Sequence, residues 1–418
     1  MSEDDKKSGP LTALSRAFSS GRLMQGLGGE IIITVLAFLF AFILGALLIA
    51  FSDQDVLSKF SYFFSQPGDA LAAGWHKVAT AYGALLAGCL GSPRALAETT
   101  AQAAPLICAG LGVALAFRVG LFNIGGQGQA IWGSIAAAFV GFHFNWPAYI
   151  HLPVAILAGV VAGAIYAGIA GVLRAQFGAH EVIVTIMLNY VASGLLLWLL
   201  SVPLFRDPKR LDPISPPVTS SAMLPTIFGR FHTGFVLAIL AAVIVWWILD
   251  HTRLGFTIRA VGANSDAAAT AGMSVPTALT LAMVIAGALC GLAGVQVVLA
   301  PNVLGTPMSL TIGLVGNVGF NAITVALLGR SRPIGVVAAG LLFGALQAGG
   351  LNMQAVAQTP SELANVIQAF IVMFVAAPML VRTLVPFLKA RKQMAVPTAD
   401  DSSSLTADEP STIEAGVA

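Results

Sequence analysis

The stretch Ala267–Gly329, AAATAGMSVPTALTLAMVIAGALCGLAGVQVVLAPNVLGTPMSLTIGLVGNVGFNAITVALLG, contains no Asp, Glu, Lys, Arg or His. A bilayer core takes about 20 apolar residues per helix, so a run of this length fits two crossings. The segment Pro301–Pro307 (PNVLGTP) divides it, and we read two helices, 277–299 and 309–328, joined by a tight turn. Extending the same rule outward gives spans at 31–51, 95–117, 123–142, 152–173, 182–201, 234–250, 333–350 and 363–382. Segment 71–92 is also apolar, but His76 and Lys77 interrupt it and Pro93 ends it, so it reads as an interfacial or re-entrant helix. The expected fold class is an all-α, polytopic membrane helical bundle of about ten transmembrane helices.

Composition agrees with this reading. Hydrophobic residues make up 57% of the chain and charged residues 10%, and the mean hydropathy is +0.86. Ordinary soluble domains carry roughly 25% charged residues, so this chain lacks the polar surface a soluble protein needs. A formal charge of +2 gives no reason to expect a nucleic-acid partner. Cys89, Cys108 and Cys290 stand singly in apolar stretches, without metal or disulfide spacing, and read as packed thiols.

Cytoplasmic loops carry the excess of Lys and Arg. With both termini cytoplasmic, fourteen of the 21 fall inside and seven outside. Residues 1–29 then form a cytoplasmic leader and 30–388 the membrane domain, with external segments 52–94 and 202–232 and a cytoplasmic loop at 251–276. Residues 389–418, acidic and free of aromatics, read as a disordered cytoplasmic tail. The first apolar run is long for a signal core and lacks a small-residue cleavage site behind it, so we expect a retained helix in the plasma or inner membrane, in contact with membrane lipids. The pairs Gly159/Gly163, Gly287/Gly291 and Gly340/Gly344 put small residues on one helix face, a pattern that permits close helix packing.

Several chemistries are missing from the sequence. It has no GxxxxGK[ST] phosphate loop, and His180-Glu181 lacks the second His four positions after the first, where Val184 stands. No expected span holds an Asp, Glu or Lys relay of the kind a proton-coupled carrier uses, and Glu98 lies near a span end. Uncharged hydrogen-bonding groups do occur beside glycine breaks: Asn123, Gln127 and Gln129 in FNIGGQGQ, Thr185 and Asn189 in TIMLNY, and Asn317 and Asn321 in GNVGFN. A neutral polar solute could pass along such groups, although Asn and Gln also bond helix to helix. Asn123/Gly125 and Asn317/Gly319 share the pattern Asn-x-Gly in the two halves, as in repeat-built transporters.

Two polar stretches complete the pattern. Residues 202–232 carry Arg206, Lys209, Arg210 and Arg230 on the side where cations are disfavoured, within a proline-stiffened loop. They suit docking of a partner with acidic edges, or contact with anionic headgroups. Residues Asp250–Val275 include a short amphipathic helix, capped by Asn264 or Ser265 and ended by Gly272.

Four ordered strings carry a resemblance. PLICAGLGVALAFRVGLFNIGGQGQAIWGSIAAA (Pro105–Ala138), GAHEVIVTIMLNYVA (Gly178–Ala192), TRLGFTIRAVGANSDAAATAGM (Thr252–Met273) and RPIGVVAAGLLFGALQAGG (Arg332–Gly350) are similar to permeases of nucleoside ABC importers, within the wider ribose and branched-chain amino acid permease group. Asp266-Ala267-Ala268, three residues and Gly272 resemble the EAA-x3-G coupling motif, with Asp for Glu; the hydrophobic-Pro continuation is not evident. The resemblance implies a loop that docks on an ATPase, with Arg253, Gly255, Arg259, Gly262, Asn264, Asp266, Ala267, Ala268 and Gly272 as its candidates. It also implies a second permease subunit, identical or different, a cytoplasmic ABC ATPase holding ATP and Mg, an extracellular substrate-binding lipoprotein, and no cofactor or catalytic residue on this chain. Such permeases carry Asn before the Glu where this chain has His180. The expected solute is a nucleoside, with a simple sugar as the alternative; a stand-alone carrier or channel is the alternative of a different class.

Overall fold

A computed structural model describes residues 22–377, so the leader before residue 22, the acidic tail and the end of the span expected at 363–382 lie outside the described residues. Its elements are α1 (Arg22–Ser52), α2 (Gln54–Phe60), α3 (Pro67–Leu90), α4 (Pro93–Arg118), α5 (Gly126–His143), α6 (Ala148–Phe177), α7 (Glu181–Ser201), β1 (Ile214–Pro217), β2 (Thr226–Phe228), β3 (Phe231–His232), α8 (Thr233–His251), α9 (Arg253–Ala263), α10 (Ser265–Thr270), α11 (Val275–Leu299), β4 (Ser309–Thr311), α12 (Val318–Leu328), α13 (Pro333–Ala357) and α14 (Glu362–Ala376). Residues 38–376 form one compact unit; the described part of a second unit is the helical start of α1 and residue 377. Among the described residues seven helices are long and apolar enough to cross a bilayer, in α1, α4, α6, α7, α8, α11 and α13. The architecture is an all-α polytopic membrane bundle, as its composition requires.

Glycines set its centre. A Cβ added to Gly291 on α11 would stand 2.5 Å from the Gly159 carbonyl oxygen on α6, and one at Gly163 would stand 2.7 Å from the Gly291 Cα. Two of the glycine pairs picked out by spacing therefore face each other across one crossing. Gly133 of α5 also meets the Gly291 backbone, so three helices converge there at backbone contact. Gly340 and Gly344 of α13 bring that helix onto Ile107 and Ala103 of α4. Helix α4 is buried along most of its length, and Pro105 sits inside it without ending it.

Two expected elements take different forms. The tight turn at 301–307 and the helix 309–328 are replaced by a long non-helical stretch, 300–317, containing β4, with α12 starting only at Val318. Absence of charge signals burial but not helicity: here the stretch finds backbone partners in β1, and Gly305, Gly313 and Gly316 take left-handed φ of +76°, +82° and +54°. The polar region after α8 holds two helices, α9 and α10, rather than the single one expected.

Residues 71–90 are continuous helix within α3, and a bend at 91–92 leads into α4. Along α13, from Val336 to Gly344, the α4 neighbours run back from Gly110 to Ala103. Farther on, Asn352 donates to the Ala84 carbonyl at 2.6 Å and Ala357 accepts from Lys77 at 2.9 Å, so α3 runs in the same sense as α4. Two consecutive helices with one sense along a third make one passage, not two. The Lys77 ammonium also pairs with Asp53 at 2.6 Å, keeping its charge at the end of α1.

Charges sort to the two ends of the bundle. At one end, Arg118 donates to the Ser331 carbonyl at 3.0 Å and its own carbonyl lies against Gly262, gathering α9 and the α12–α13 turn. At the other, Leu224 donates to the Leu299 carbonyl at 2.9 Å and Thr219 to the Gly141 carbonyl at 2.8 Å, tying residues 202–232 onto α11 and α5.

Candidate functional site

The uncharged groups picked out by sequence converge where α5 and α12 begin. Between Arg118 and Gly126 the chain leaves helical form, and Asn123 folds back to accept from the Gly125 amide at 3.0 Å while exchanging two carboxamide bonds with Gln129, 3.2 and 3.1 Å. Asn189 of α7 closes the other side: it accepts from the Gly128 amide at 2.8 Å and donates to the Ile124 carbonyl at 3.0 Å. Thr185 is wholly buried and donates to the Glu181 carbonyl at 2.7 Å, one turn back in its own helix. Backbone freed by a helix break needs such partners in a bilayer, where water is scarce.

Gln127 links this break to the second one. Its Nε2 donates to the Gly316 carbonyl at 2.6 Å and its Oε1 accepts from the Gly319 amide at 2.8 Å. The two Asn-x-Gly segments are thus adjacent in space, and Gly319 lies directly on the Gly126–Gln127 backbone. Asn317 is exposed and Asn321 half-exposed, whereas Asn123, Gln127, Gln129, Thr185 and Asn189 are buried. Of the seven polar residues expected along a solute path, four therefore bond across the junction, Thr185 bonds within its own helix, and Asn317 and Asn321 keep exposed surface. The exposure difference could not be read from sequence, because both sets share the same residue types beside glycine.

At the opposite end from residues 202–232, α9 and α10 form an elbow. Thr252 caps α9 by accepting from the Gly255 amide at 3.1 Å, and Asn264 caps α10 by accepting from Asp266 and Ala267 amides at 3.0 Å each. Gly255 packs on the α8 backbone at Leu249, Ile258 and Val261 face the bundle, and Ala268 is the buried residue of α10. Asp266, Ala267 and Gly272 are exposed, and Gly272 ends the elbow with φ +79° and open space around it. Arg259 pairs with Asp250 at 3.5 Å, and Arg253 is exposed. Glu181 pairs with Arg174 at 3.4 Å across the α6–α7 turn, while His180 makes no capping bond.

The four cations of 202–232 differ in their surroundings. Arg206 donates to the carbonyls of Arg210 and Leu211, at 3.3 and 2.8 Å, curling the loop on itself; Arg210 lies 3.7 Å from Asp212. Lys209 remains exposed. Arg230 instead forms an ion pair with Glu98 at 2.6 Å, both side chains mostly buried, so its charge is neutralised within the fold. Sequence reading missed the β1–β4 pairing and the His151–Ser221 bond of 2.8 Å, which fasten this segment to the bundle. Burial, with the Arg230 charge added, pushes the His232 imidazole down to about 4 against the opposing pull of Glu98. Its neutral Nδ1 accepts from the Gly234 amide at 3.1 Å and caps α8.

Comparison with known proteins places this geometry. The family described as "Branched-chain amino acid transport system / permease component" matches residues 95–376. The guanosine ABC transporter permease protein NupP of Bacillus subtilis is 42% identical over 76% of this chain and 90% of its own length. The glucose ABC transporter permease protein TsgB13 of Haloferax volcanii is 35% identical over 70% and 79%. The nucleoside ABC transporter permease protein NupB of Lactococcus lactis is 34% identical over 87% and 95%. No solved structure matches. With a family match across most of its bundle and seven apolar helices to span the cell membrane, the chain belongs to this family of transport-system permease components.

Proposed function

We propose that the chain is the membrane permease subunit of an ATP-binding cassette importer that carries nucleosides. The observation that carries this reading is the pairing of family membership with an interior junction built only from uncharged groups. A nucleoside offers hydroxyls and base edges but no net charge, so amide and carbonyl groups suffice to replace its water. Asn317 and Asn321 line the path, and Asn123, Gln127, Gln129, Thr185 and Asn189 keep its shape. A zwitterionic amino acid would demand buried counter-charges, which cost more unless fully paired.

The elbow from Arg253 to Gly272 passes movement from a cytoplasmic ATPase, which binds ATP and Mg; this chain binds neither. A second permease subunit completes the pathway, and an extracellular binding lipoprotein docks on residues 202–232 through Arg206, Lys209 and Arg210. A simple sugar is the second reading, supported by the 35% identity to the glucose permease protein. Purified complex in liposomes, with and without ATP, tests the assignment: guanosine uptake should need both ATP and the ATPase, and glucose should not compete. Uptake by this chain alone would make it a carrier or channel instead.

A further inference from the structure

Residues 202–232 and the interior junction are joined by contacts that bypass the spanning helices. Strands β1 and β4 pair antiparallel, Ile214 opposite Thr311 and Pro217 opposite Ser309. The Ser215 hydroxyl accepts from the Leu310 amide at 2.8 Å, and the Met308 carbonyl accepts from the Val218 amide at 3.0 Å. Leu310 and Val315 are buried in the same apolar cluster as Phe205, Val218 and Leu224. Residues 308–315 are therefore packed as a continuation of the outer segment, although they lie far from it in sequence.

At its inner end this stretch reaches Gly316 and enters α12, and there Gln127 bonds to both sides of the turn, at Gly316 and Gly319. Gly313 and Gly316 have φ of +82° and +54° with nothing within 4 Å of a Cβ position. Glycine permits these left-handed angles without steric penalty, so the chain can turn tightly there, and the strand pair and buried Leu310 resist bending before it. The Gly313 carbonyl accepts from the Gly316 amide at 2.8 Å and the Thr311 carbonyl from the Leu314 amide at 3.2 Å, so the stretch has a stiff outer part, a bonded turn and a fixed inner anchor.

The geometry points to a mechanical strap: residues 308–317 carry displacement of the outer segment 202–232 directly to the interior junction, and Gln127 is the positioning residue that fixes the strap's inner end. This rests on the reading of 202–232 as the docking surface for the binding lipoprotein. Receptor capture on the outer face then reaches the path-lining Asn317 through two short backbone steps.

The test uses the complete transporter, with both permeases, ATPase and receptor, in nanodiscs for hydrolysis and in liposomes for uptake of radiolabelled guanosine. Opposed strand residues have Cα spacings that a disulfide can bridge, so Ile214→Cys/Thr311→Cys locks β1 to β4. Because the strap moves with the outer segment, oxidised transporter should keep receptor stimulation and uptake within about twofold of the reduced form. Loss on oxidation that a reductant reverses would mean that the strands must part, and would overturn the strap. Gln127→Met keeps side-chain length but removes both anchoring bonds; the ratio of receptor-stimulated to basal ATPase should fall about tenfold. Should that variant fail to assemble, Gly316→Val, strained at a φ of +54°, distorts the turn that Gln127 anchors and should reduce the same ratio. Normal stimulation in an assembled variant overturns the proposal. A wild-type complex whose ATPase ignores the receptor would sink the docking reading itself, whereas normal wild-type stimulation with indifferent variants sinks only the strap.

Discussion

Arg230 and Glu98 stand 2.6 Å apart and join residues 202–232 to the first turns of α4. With side chains 24% and 19% exposed, the pair is shielded enough for each partner to need the other. Removing one charge leaves the second poorly solvated, a loss of order 1–3 kcal/mol for a hydrogen bond to a charged group. Arg230→Gln should lower the melting temperature of the detergent-purified protein, and the swap Arg230→Glu/Glu98→Arg should recover part of it. Equal melting in all forms would show that the pair is idle. Receptor capture should depend on salt through Arg206, Lys209 and Arg210, because only exposed charges steer association.

The elbow variants should separate into two kinds. Gly272 is exposed and left-handed, so Gly272→Glu adds bulk and backbone strain at the surface while the bundle stays intact. ATP hydrolysis should continue while guanosine uptake falls at least about tenfold, the scale of a lost coupling term. Ala268 is buried, and Ala268→Glu should instead loosen the elbow itself, lowering yield as well as uptake. Normal uptake in Gly272→Glu, at normal ATPase content, would falsify the coupling role.

Polar substitutions at the junction should also divide by exposure. Asn189→Leu strands the Gly128 amide and the Ile124 carbonyl, each costing roughly 1–3 kcal/mol when left unpaired, so protein abundance should drop. Asn321→Leu breaks no side-chain bond of this kind and should preserve abundance while slowing transport. The comparison is made by uptake normalised to protein in the membrane; a normal rate for Asn321→Leu would remove it from the path.

Acidification should loosen the start of α8. His232 is held down to about 4 in the fold against about 6.5 when exposed, so between these values the unfolded form binds a proton that the folded form refuses. Stability from this site is complete above about 6.5 and declines as pH falls toward 4. The protection of the Gly234 amide, its exchange rate relative to the intrinsic rate at each pH, should fall over that window, and His232→Asn, which can still cap α8, should remove the dependence. An unchanged profile in His232→Asn would assign it to another group.

Much of this was legible because a bilayer imposes length on helices. Apolar runs located α4, α5, α6, α7, α8 and α11 to within about four residues, and the end of α1 though not its start, since a charge within the core is penalised regardless of neighbours. The same rule misread 309–328, because Ser215 and the β1 backbone supply partners from almost a hundred residues away. Gly159/Gly163 and Gly287/Gly291 were recognisable as packing surfaces, but spacing alone gave no sign that they pack on each other. Asn123 and Asn317 look equivalent as Asn-x-Gly, yet one is sealed behind Gln129 and the other is open. Arg230 read as a free outer cation because Glu98, its partner, belongs to a distant helix.

The backbone contact among Gly159, Gly163, Gly287 and Gly291 bears on inheritance as well as packing. Every missense change that one base can make in a glycine codon adds at least a methyl group, and here a methyl would press on a carbonyl or Cα of the facing helix. Overpacking of this kind typically costs about 1–3 kcal/mol, a large share of a marginal stability. These four codons therefore have no mild neighbours in the genetic code. A saturation library selected for guanosine uptake should be depleted of nearly every replacement at them, alanine included, while lipid-facing positions on the same two helices tolerate exchange among apolar residues.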